Sequence, residues 1–258
     1  MVRSLLEPIA RVGFAARGAV YVMVGILAAR SAAGQGGDTT DARGAVRAIG
    51  RLEATGMLLV ALAAGLAAYA AWRVAQAVLD LDDKGGDAKG LATRAGFLAS
   101  GVVHAGLAMT AAGIGFTSGS GSARSWVART LAEPWGMWAV GLVGAVVVGS
   151  GLYQFYKAWA AKFEKRLRVD QMSEGARRWA RRIGRFGLAA RGVTFLVAGW
   201  CLIRAAQTVN AREVKDLGGA LRLLRGQAYG PWLLGIVACG LISYGLLSFV
   251  NARYRRIG

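Results

Sequence analysis

Two arginines and one histidine are the side chains of this sequence best placed to do chemistry, because they lie inside long apolar stretches. Arg17 and Arg191 each follow another arginine, Arg11 or Arg185, by about 9 Å of helix rise. A charged group at that depth in hydrocarbon costs about 2.5 kcal/mol or more. The apolar stretches contain no Asp or Glu to compensate it. His104, the only histidine, lies near the middle of another stretch.

The two buried arginines are open to two interpretations. Each side chain either extends to the cytoplasmic surface or pairs with Asp80 or Glu164, which lie just beyond two of the apolar stretches. Alternatively, guanidinium groups from two parts of the chain converge on an anion such as a lipid phosphate. His104 is expected to be a neutral hydrogen-bonding contact between helices rather than a proton relay, which would need neighbouring carboxylates.

Six apolar stretches provide the elements that must position these side chains. The chain has 258 residues, 55% of them hydrophobic, and contains 38 glycines, a composition typical of membrane proteins. Each stretch has about 20 residues, the length that an α-helix needs to cross a bilayer core. We therefore predict an all-α fold with six transmembrane helices. The predicted spans are residues 12–32, 55–79, 95–117, 135–160, 186–208 and 229–250.

The spans form three tandem repeats of a two-helix unit, predicted at residues 1–80, 81–165 and 166–258. One pattern opens each repeat, at Arg11–Gly18, Arg94–Gly101 and Arg185–Gly192. A glycine and a tyrosine four residues apart recur in the second span of each repeat, at nearly constant distance from the opening arginine. These pairs are Gly65 and Tyr69, Gly149 and Tyr153, and Gly240 and Tyr244.

The repeats predict a pseudo-threefold bundle around a central site. Each repeat contains an even number of spans, so all three copies share one orientation. Short amphipathic stretches at residues 44–49, 125–131 and 219–224 separate the two spans of each repeat and are expected at the membrane interface. Helical-wheel positions place the pattern glycines, including Gly18, Gly101 and Gly192, on inward packing faces with the tyrosines. The candidate central site contains Arg17, Ser100, Arg191, Tyr21 and His104.

The sequence resembles the bacterial membrane proteins that carry domain of unknown function 1206, in three tandem copies over nearly the whole chain. The likeness is strongest in the third repeat, through Gly219–Arg222, Tyr229–Gly235, Gly240–Gly245 and Ala252–Arg256. The resemblance implies a six-helix membrane protein and brings no activity, so no functional residue is carried over. The middle copy departs most from the pattern, with Ser100 and His104 at the places of Arg17 and Tyr21.

The charge distribution predicts both the orientation and a partner. The formal net charge is +18. Lys and Arg number about 19 on the side of the termini and about 11 on the other, which places both termini in the cytoplasm of a multi-pass protein of the bacterial inner membrane. The segment from Lys162 to Arg185 is expected to contact anionic lipid headgroups. Nucleic acid is the less favoured partner, because no recognition fold or aromatic platform accompanies the basic segment.

The sequence favours a non-enzymatic function. It contains no heme-ligating pair, no metal-binding motif and no carboxylate within the spans to act as a base, and Cys201 and Cys239 stand singly, so no cofactor, metal or disulfide is expected. Binding of an anionic lipid or amphiphile, or an assembly or scaffold role, is the leading prediction. The alternative is a channel or carrier for a small anion or polar solute, which the apolar outer halves of the spans disfavour.

Overall fold

The computed structural model describes residues 2–35, 41–49, 55–113 and 123–256. This part of the chain contains nine α-helices and no β-strand, which confirms the all-α prediction. The helices are α1 (Val2–Ala32), α2 (Ala42–Ile49), α3 (Thr55–Val78), α4 (Ala88–Ala111), α5 (Ala123–Leu131), α6 (Gly136–Trp159), α7 (Glu174–Gln207), α8 (Leu217–Arg225) and α9 (Gly230–Tyr254).

Five of the described helices, α1, α3, α6, α7 and α9, are long and apolar enough to cross a membrane. The remaining long helix of the described residues, α4, is not among these five, and it contains Arg94 and His104. The end of the predicted third span, residues 114–117, lies outside the described residues. The five helices are consistent with a multi-pass membrane protein. The prediction of six spans in a threefold bundle is not confirmed.

Exposed tryptophans on each of two neighbouring helices are spaced about one bilayer core apart. Trp138 and Trp159 lie at the two ends of α6, and Trp179 and Trp200 lie equally far apart along α7; all four side chains are exposed. The separation in each helix is about 31 Å of rise. Exposed tryptophans at both interfaces are typical of membrane proteins.

The long helices pack side by side in the order α4, α3, α1, α9, α7, α6. Within repeats, α1 packs on α3 and α7 packs on α9; between repeats, α3 packs on α4, α9 on α1 and α6 on α7. The two helices of the middle repeat, α4 and α6, stand at the ends of this row, and their described residues show no comparable packing.

Glycines explain the close packing in the first and third repeats. A Cβ added at Gly13 would lie 2.6 Å from the Cα of Tyr69, and one added at Gly187 would lie 2.6 Å from the Cα of Tyr244. Small residues allow membrane helices this approach. At Gly96, the equivalent position of the middle repeat, a Cβ would meet nothing within 4 Å.

The opening arginine of each repeat binds the carboxyl end of the second long helix of another repeat. Arg11 donates to the carbonyls of Ala252 and Arg253 at the end of α9. Arg94 donates to Ala77 at 2.7 Å at the end of α3, and Arg185 donates to Trp159 at the end of α6. A cation at this position satisfies terminal carbonyls and opposes the helix dipole. The repeated arginines are therefore structural links between repeats.

Three short helices, α2, α5 and α8, occupy the three amphipathic stretches predicted from the sequence. In α2, Ala45, Val46 and Ile49 are buried, while Arg47 is exposed. This face packs on α1 and α4, and α8 packs on α7 and α9, so these helices close the end of the bundle opposite the termini.

Candidate anion-binding site

Three arginines and two tyrosines from four long helices form one hydrogen-bonded row. Arg17 of α1 donates from its two terminal nitrogens to the hydroxyls of Tyr69 on α3 and Tyr244 on α9. Arg73 of α3 donates from Nε to Tyr69 at 2.8 Å, and Arg191 of α7 donates from Nη1 to Tyr244 at 2.9 Å. The order along the row is therefore Arg73, Tyr69, Arg17, Tyr244, Arg191.

The row retains donors that its own members do not use. Each tyrosine hydroxyl accepts two guanidinium N–H groups, which fills its acceptor capacity and leaves its own proton to donate. The Nε atoms of Arg17 and Arg191 are buried and have no hydrogen-bond partner among the described residues. In the same part of the chain, none of the three arginines forms an ion pair with a carboxylate. The row is thus positively charged and rich in donors.

Aromatic rings surround the two deeper guanidinium groups. The Cζ atom of Arg17 lies 4.8 Å from the ring centre of Tyr244 and 5.1 Å from that of Tyr69. The Cζ atom of Arg191 lies 4.6 Å from the ring centre of Phe195. Cation–π contacts of this kind contribute about 0.5 to 2 kcal/mol each, which offsets only part of the cost of burying a charge.

A cavity of about 620 Å³ opens next to the row, where α3, α6 and α9 end. Its size is that of a small-molecule binding site. Basic side chains on its wall outnumber acidic ones ten to two. The basic residues are Arg17, Arg73, Lys84, Lys157, Lys162, Lys165, Arg166, Arg191, Arg255 and Arg256, and the acidic ones are Asp82 and Asp83.

The rim of the cavity is held by the C-terminal tail. Arg256 donates its backbone N–H to the carbonyl of Arg166 at 2.8 Å, which joins the tail to the loop after α6. Arg255 is buried, and a terminal nitrogen of its guanidinium lies 3.8 Å from Asp82. Burial and the nearby charge of Arg166 lower the pKa of Arg255. An added anion would therefore relieve electrostatic strain at the rim as well as in the depth of the cavity.

The predicted pairing of Arg17 and Arg191 with Asp80 or Glu164 does not occur. Glu164 accepts hydrogen bonds from Arg181 at 2.5 and 2.8 Å, which lower the pKa of this carboxyl. Asp80 accepts backbone N–H groups from the turn that follows it, and these also lower its pKa. The two arginines instead both donate to the hydroxyl of Tyr244, and their convergence on an anion stays a prediction.

The other predicted members of the central site lie beside the row. The ring of Tyr21 contacts that of Tyr244 edge-on at 4.7 Å. His104 pairs through Nδ1 with the carbonyl of Ser100 at 2.7 Å, and its ring lies 4.5 Å from that of Tyr69. Of the predicted central residues that the structure describes, Arg17 and Arg191 lie on the cavity wall, whereas Tyr21, Ser100 and His104 do not.

The repeated glycine and tyrosine pairs are packed in the first and third repeats and open in the second. A Cβ at Gly65 or Gly240 would meet Ala16 or Ala190, so the helices pack tightly at these positions of the first and third repeats, whereas one at Gly149 would meet nothing within 4 Å. Between repeats, Gly18 faces the backbone of Gly245, Gly101 faces Ala70, and Gly192 faces Gly151. Tyr69 and Tyr244 are buried, whereas Tyr153 is exposed on the cavity wall.

Sequence reasoning missed Arg73, Lys157 and Arg255 as members of the site. A signal was available for the first two, because a basic residue follows the repeated tyrosine by four positions in the first and second repeats, which places it on the same face of the helix. The ammonium of Lys157 lies 4.3 Å from the ring centre of Tyr153. Arg255 occupies, in the third repeat, the position of Asp80 and Glu164.

Comparisons with known proteins agree with the repeats. The chain matches the Domain of Unknown Function (DUF1206) family three times, over residues 12–80, 95–161 and 186–255. It is 33% identical over 249 residues to the uncharacterized protein YxxB of Bacillus subtilis (strain 168), which covers 96% of this chain and 90% of that protein. No solved structure matches the chain. The chain therefore belongs to the DUF1206 family, of which it carries three tandem copies.

Proposed function

We propose that this protein is a non-enzymatic, multi-pass protein of the bacterial inner membrane that binds the phosphate of an anionic lipid or amphiphile in the cationic cavity. One observation carries the proposal: Arg17, Arg73 and Arg191 gather around two tyrosine hydroxyls, with no carboxylate paired to them in the described residues.

Electrostatics supports an anionic ligand. Buried charges are stable in proteins when they are paired and hydrogen-bonded, and an unpaired buried charge costs several kcal/mol. The Nε groups of Arg17 and Arg191 are buried donors without a partner among the described residues, and the hydroxyls of Tyr69 and Tyr244 keep their own protons to donate. Phosphate oxygens accept several such bonds at once, and the planar fork of arginine matches their geometry.

Position in the membrane supports a lipid. The cavity lies at the end of the bundle that carries the basic segment Lys162–Arg185, so the positive-inside rule supports a position at the cytoplasmic leaflet. Anionic headgroups are enriched on that surface and attract each nearby Lys or Arg by about 1 kcal/mol. We extend this attraction to the exposed face of the basic segment, with lipid and not nucleic acid as its partner.

A non-enzymatic role fits the composition of the cavity wall. Its two carboxylates, Asp82 and Asp83, lie in the loop after α3, and Asp82 is close to Arg166 and Arg255. Neither carboxylate lies among the hydrogen-bonding partners of the deep arginines. A general base would need to reach the reacting group within hydrogen-bonding distance.

A carrier or channel for a small anion is the second candidate, favoured by the ten basic residues on the cavity wall. The packing beyond the row argues against a continuous path. Val24, Ala28, Leu66 and Leu241 are completely buried in the apolar core that fills the other half of the bundle. Ion pathways are lined by polar or charged groups, or by an apolar constriction that opens.

Native mass spectrometry after extraction in mild detergent tests the proposal. We expect wild-type protein to retain an anionic lipid that the double variant Arg17→Gln, Arg191→Gln loses. The matched control is Arg30→Gln, Arg204→Gln, which removes two exposed arginines at equivalent positions of the same helices, α1 and α7, far from the cavity. Equal lipid retention in all three proteins contradicts the proposal. Anion flux in liposomes that Arg17→Gln abolishes would establish the carrier instead.

A further inference from the structure

The middle repeat exposes the helix faces that the other two repeats bury. Val103 of α4 is 62% exposed, whereas Val20 and Thr194, at the equivalent positions of α1 and α7, are each 2% exposed. Val146 of α6 is 60% exposed, whereas Leu62 and Val237, its equivalents in α3 and α9, are each 6% exposed. The sequence therefore keeps apolar residues on two helix surfaces that are packed in the other repeats and exposed in the middle one.

The repeated glycines agree with this exposure. At Gly96 of α4 and Gly149 of α6 an added Cβ would meet nothing within 4 Å, although both positions are closely packed in the other repeats. We call the space between the two faces the middle-repeat cleft. It is defined by Gly96, Ala99 and Val103 on α4 and by Val146, Gly149 and Tyr153 on α6.

One end of the cleft coincides with the cationic cavity. Tyr153 belongs to both, and Lys157, one turn further along α6, lies on the cavity wall. On the other side, Phe97 of α4 packs at 5.2 Å against the guanidinium of Arg73, which also lies on the wall. Of the described residues of α4, none lies on that wall, so α4 does not close the cavity.

We propose that the middle-repeat cleft seats an acyl chain of the anionic lipid whose phosphate occupies the cavity, and that the lipid enters sideways from the bilayer between α4 and α6. This inference rests on the proposed function and adds the path and the class of ligand. The cleft has an apolar part and a cationic end, which match the acyl chain and the phosphate of an anionic lipid. Valines line the apolar part, and Arg73, Lys157 and the deep arginines lie at the cytoplasmic end. An apolar helix of a second copy would cover the valines and leave these cations without an anion.

Tryptophan substitutions at two adjacent valines test the path. Val103→Trp fills the cleft, whereas Val102→Trp adds the same bulk to a neighbouring exposed valine that points about 100° away around the helix. We expect Val103→Trp to lower the retained dioleoyl phosphatidylglycerol about tenfold, measured by native mass spectrometry, with Val102→Trp close to wild type. Val146→Trp blocks the same cleft from α6 and is expected to lower lipid retention in the same way. If Val103→Trp does not fold, Val146→Trp alone tests the path.

Inorganic phosphate has no acyl chain, so its binding tests the cationic cavity independently of the cleft. We expect phosphate to bind Val103→Trp and Val146→Trp as it binds wild type, and to bind the double variant Arg17→Gln, Arg191→Gln weakly. Full lipid retention in both tryptophan variants overturns the acyl-chain path and leaves the proposed function standing. Full retention in the double arginine variant overturns the proposed function as well. A wild-type dimer without lipid that Val103→Trp dissociates shows that a second copy covers the cleft, and it also overturns the path.

Discussion

Replacing Arg17 by Gln is expected to reduce the stabilisation that a bound lipid gives the protein. Unfolding measured with and without lipid distinguishes this effect from a change in the stability of the protein itself. Arg17 joins Tyr69 to Tyr244, lies on the cavity wall, and has a buried Nε donor without a partner among the described residues. A hydrogen bond to a charged group contributes about 1.5 to 3 kcal/mol, so its loss weakens binding by about 10- to 150-fold. A lipid at 100 times its dissociation constant stabilises wild type by about 2.7 kcal/mol; in the variant the same concentration contributes only about 0.3 to 1.4 kcal/mol.

The assay is thermal unfolding of delipidated protein in detergent, followed by tryptophan fluorescence, with and without phosphatidylglycerol. Arg30→Gln removes the same charge from the exposed far end of α1 and is expected to keep the full lipid-induced shift. Phosphatidylcholine is the control for a lipid without net charge. A shift of wild-type size in Arg17→Gln, or an equal shift with both lipids, would refute the reasoning.

Three further predictions concern the helix packing, the ion pair of Glu164 and the orientation in the membrane. Gly13→Ala places a Cβ against a helix backbone and should destabilise the protein by about 1 to 3 kcal/mol, whereas Gly96→Ala, which meets open space, should be neutral or stabilising in thermal unfolding. The pKa of Glu164 is lowered in the folded protein, so its stabilisation is present above the ordinary carboxyl pKa and lost as pH falls through the lowered value. Glu164→Gln should abolish this step of about 0.2 to 1 kcal/mol in acid titrations of stability. In a cysteine-free background, Gln35→Cys should react with an impermeant thiol reagent in whole cells and Gly86→Cys should not; the opposite pattern would place the termini outside the cytoplasm.

The repeats and most of the spans could be predicted from the sequence, because they depend on local composition and periodicity. Apolar stretches about 20 residues long mark spans whatever their neighbours are. The arginines within them could also be singled out, since a charge at that depth is costly. Their partners could not, because the bond between Arg17 and Tyr244 joins residues 227 positions apart and depends on which repeats become neighbours.

The open middle repeat could not be predicted from the sequence. Gly96 and Gly149 repeat the glycines that pack tightly in the other copies. Glycine permits close approach of two helices and does not itself attract them. The differences visible in the sequence, Ser100 and His104, concern contacts made by α4 with itself and with α3. A pattern that fits a closed threefold bundle therefore also fits a row of helices with two free ends.

A cryo-EM reconstruction in nanodiscs that contain phosphatidylglycerol would test the central claim most directly. The account predicts non-protein density in contact with Arg17, Arg73 and Arg191, continuous with an elongated feature between α4 and α6. A cavity without such density, or α4 packed closely against α6 along Gly96 and Gly149, would contradict it.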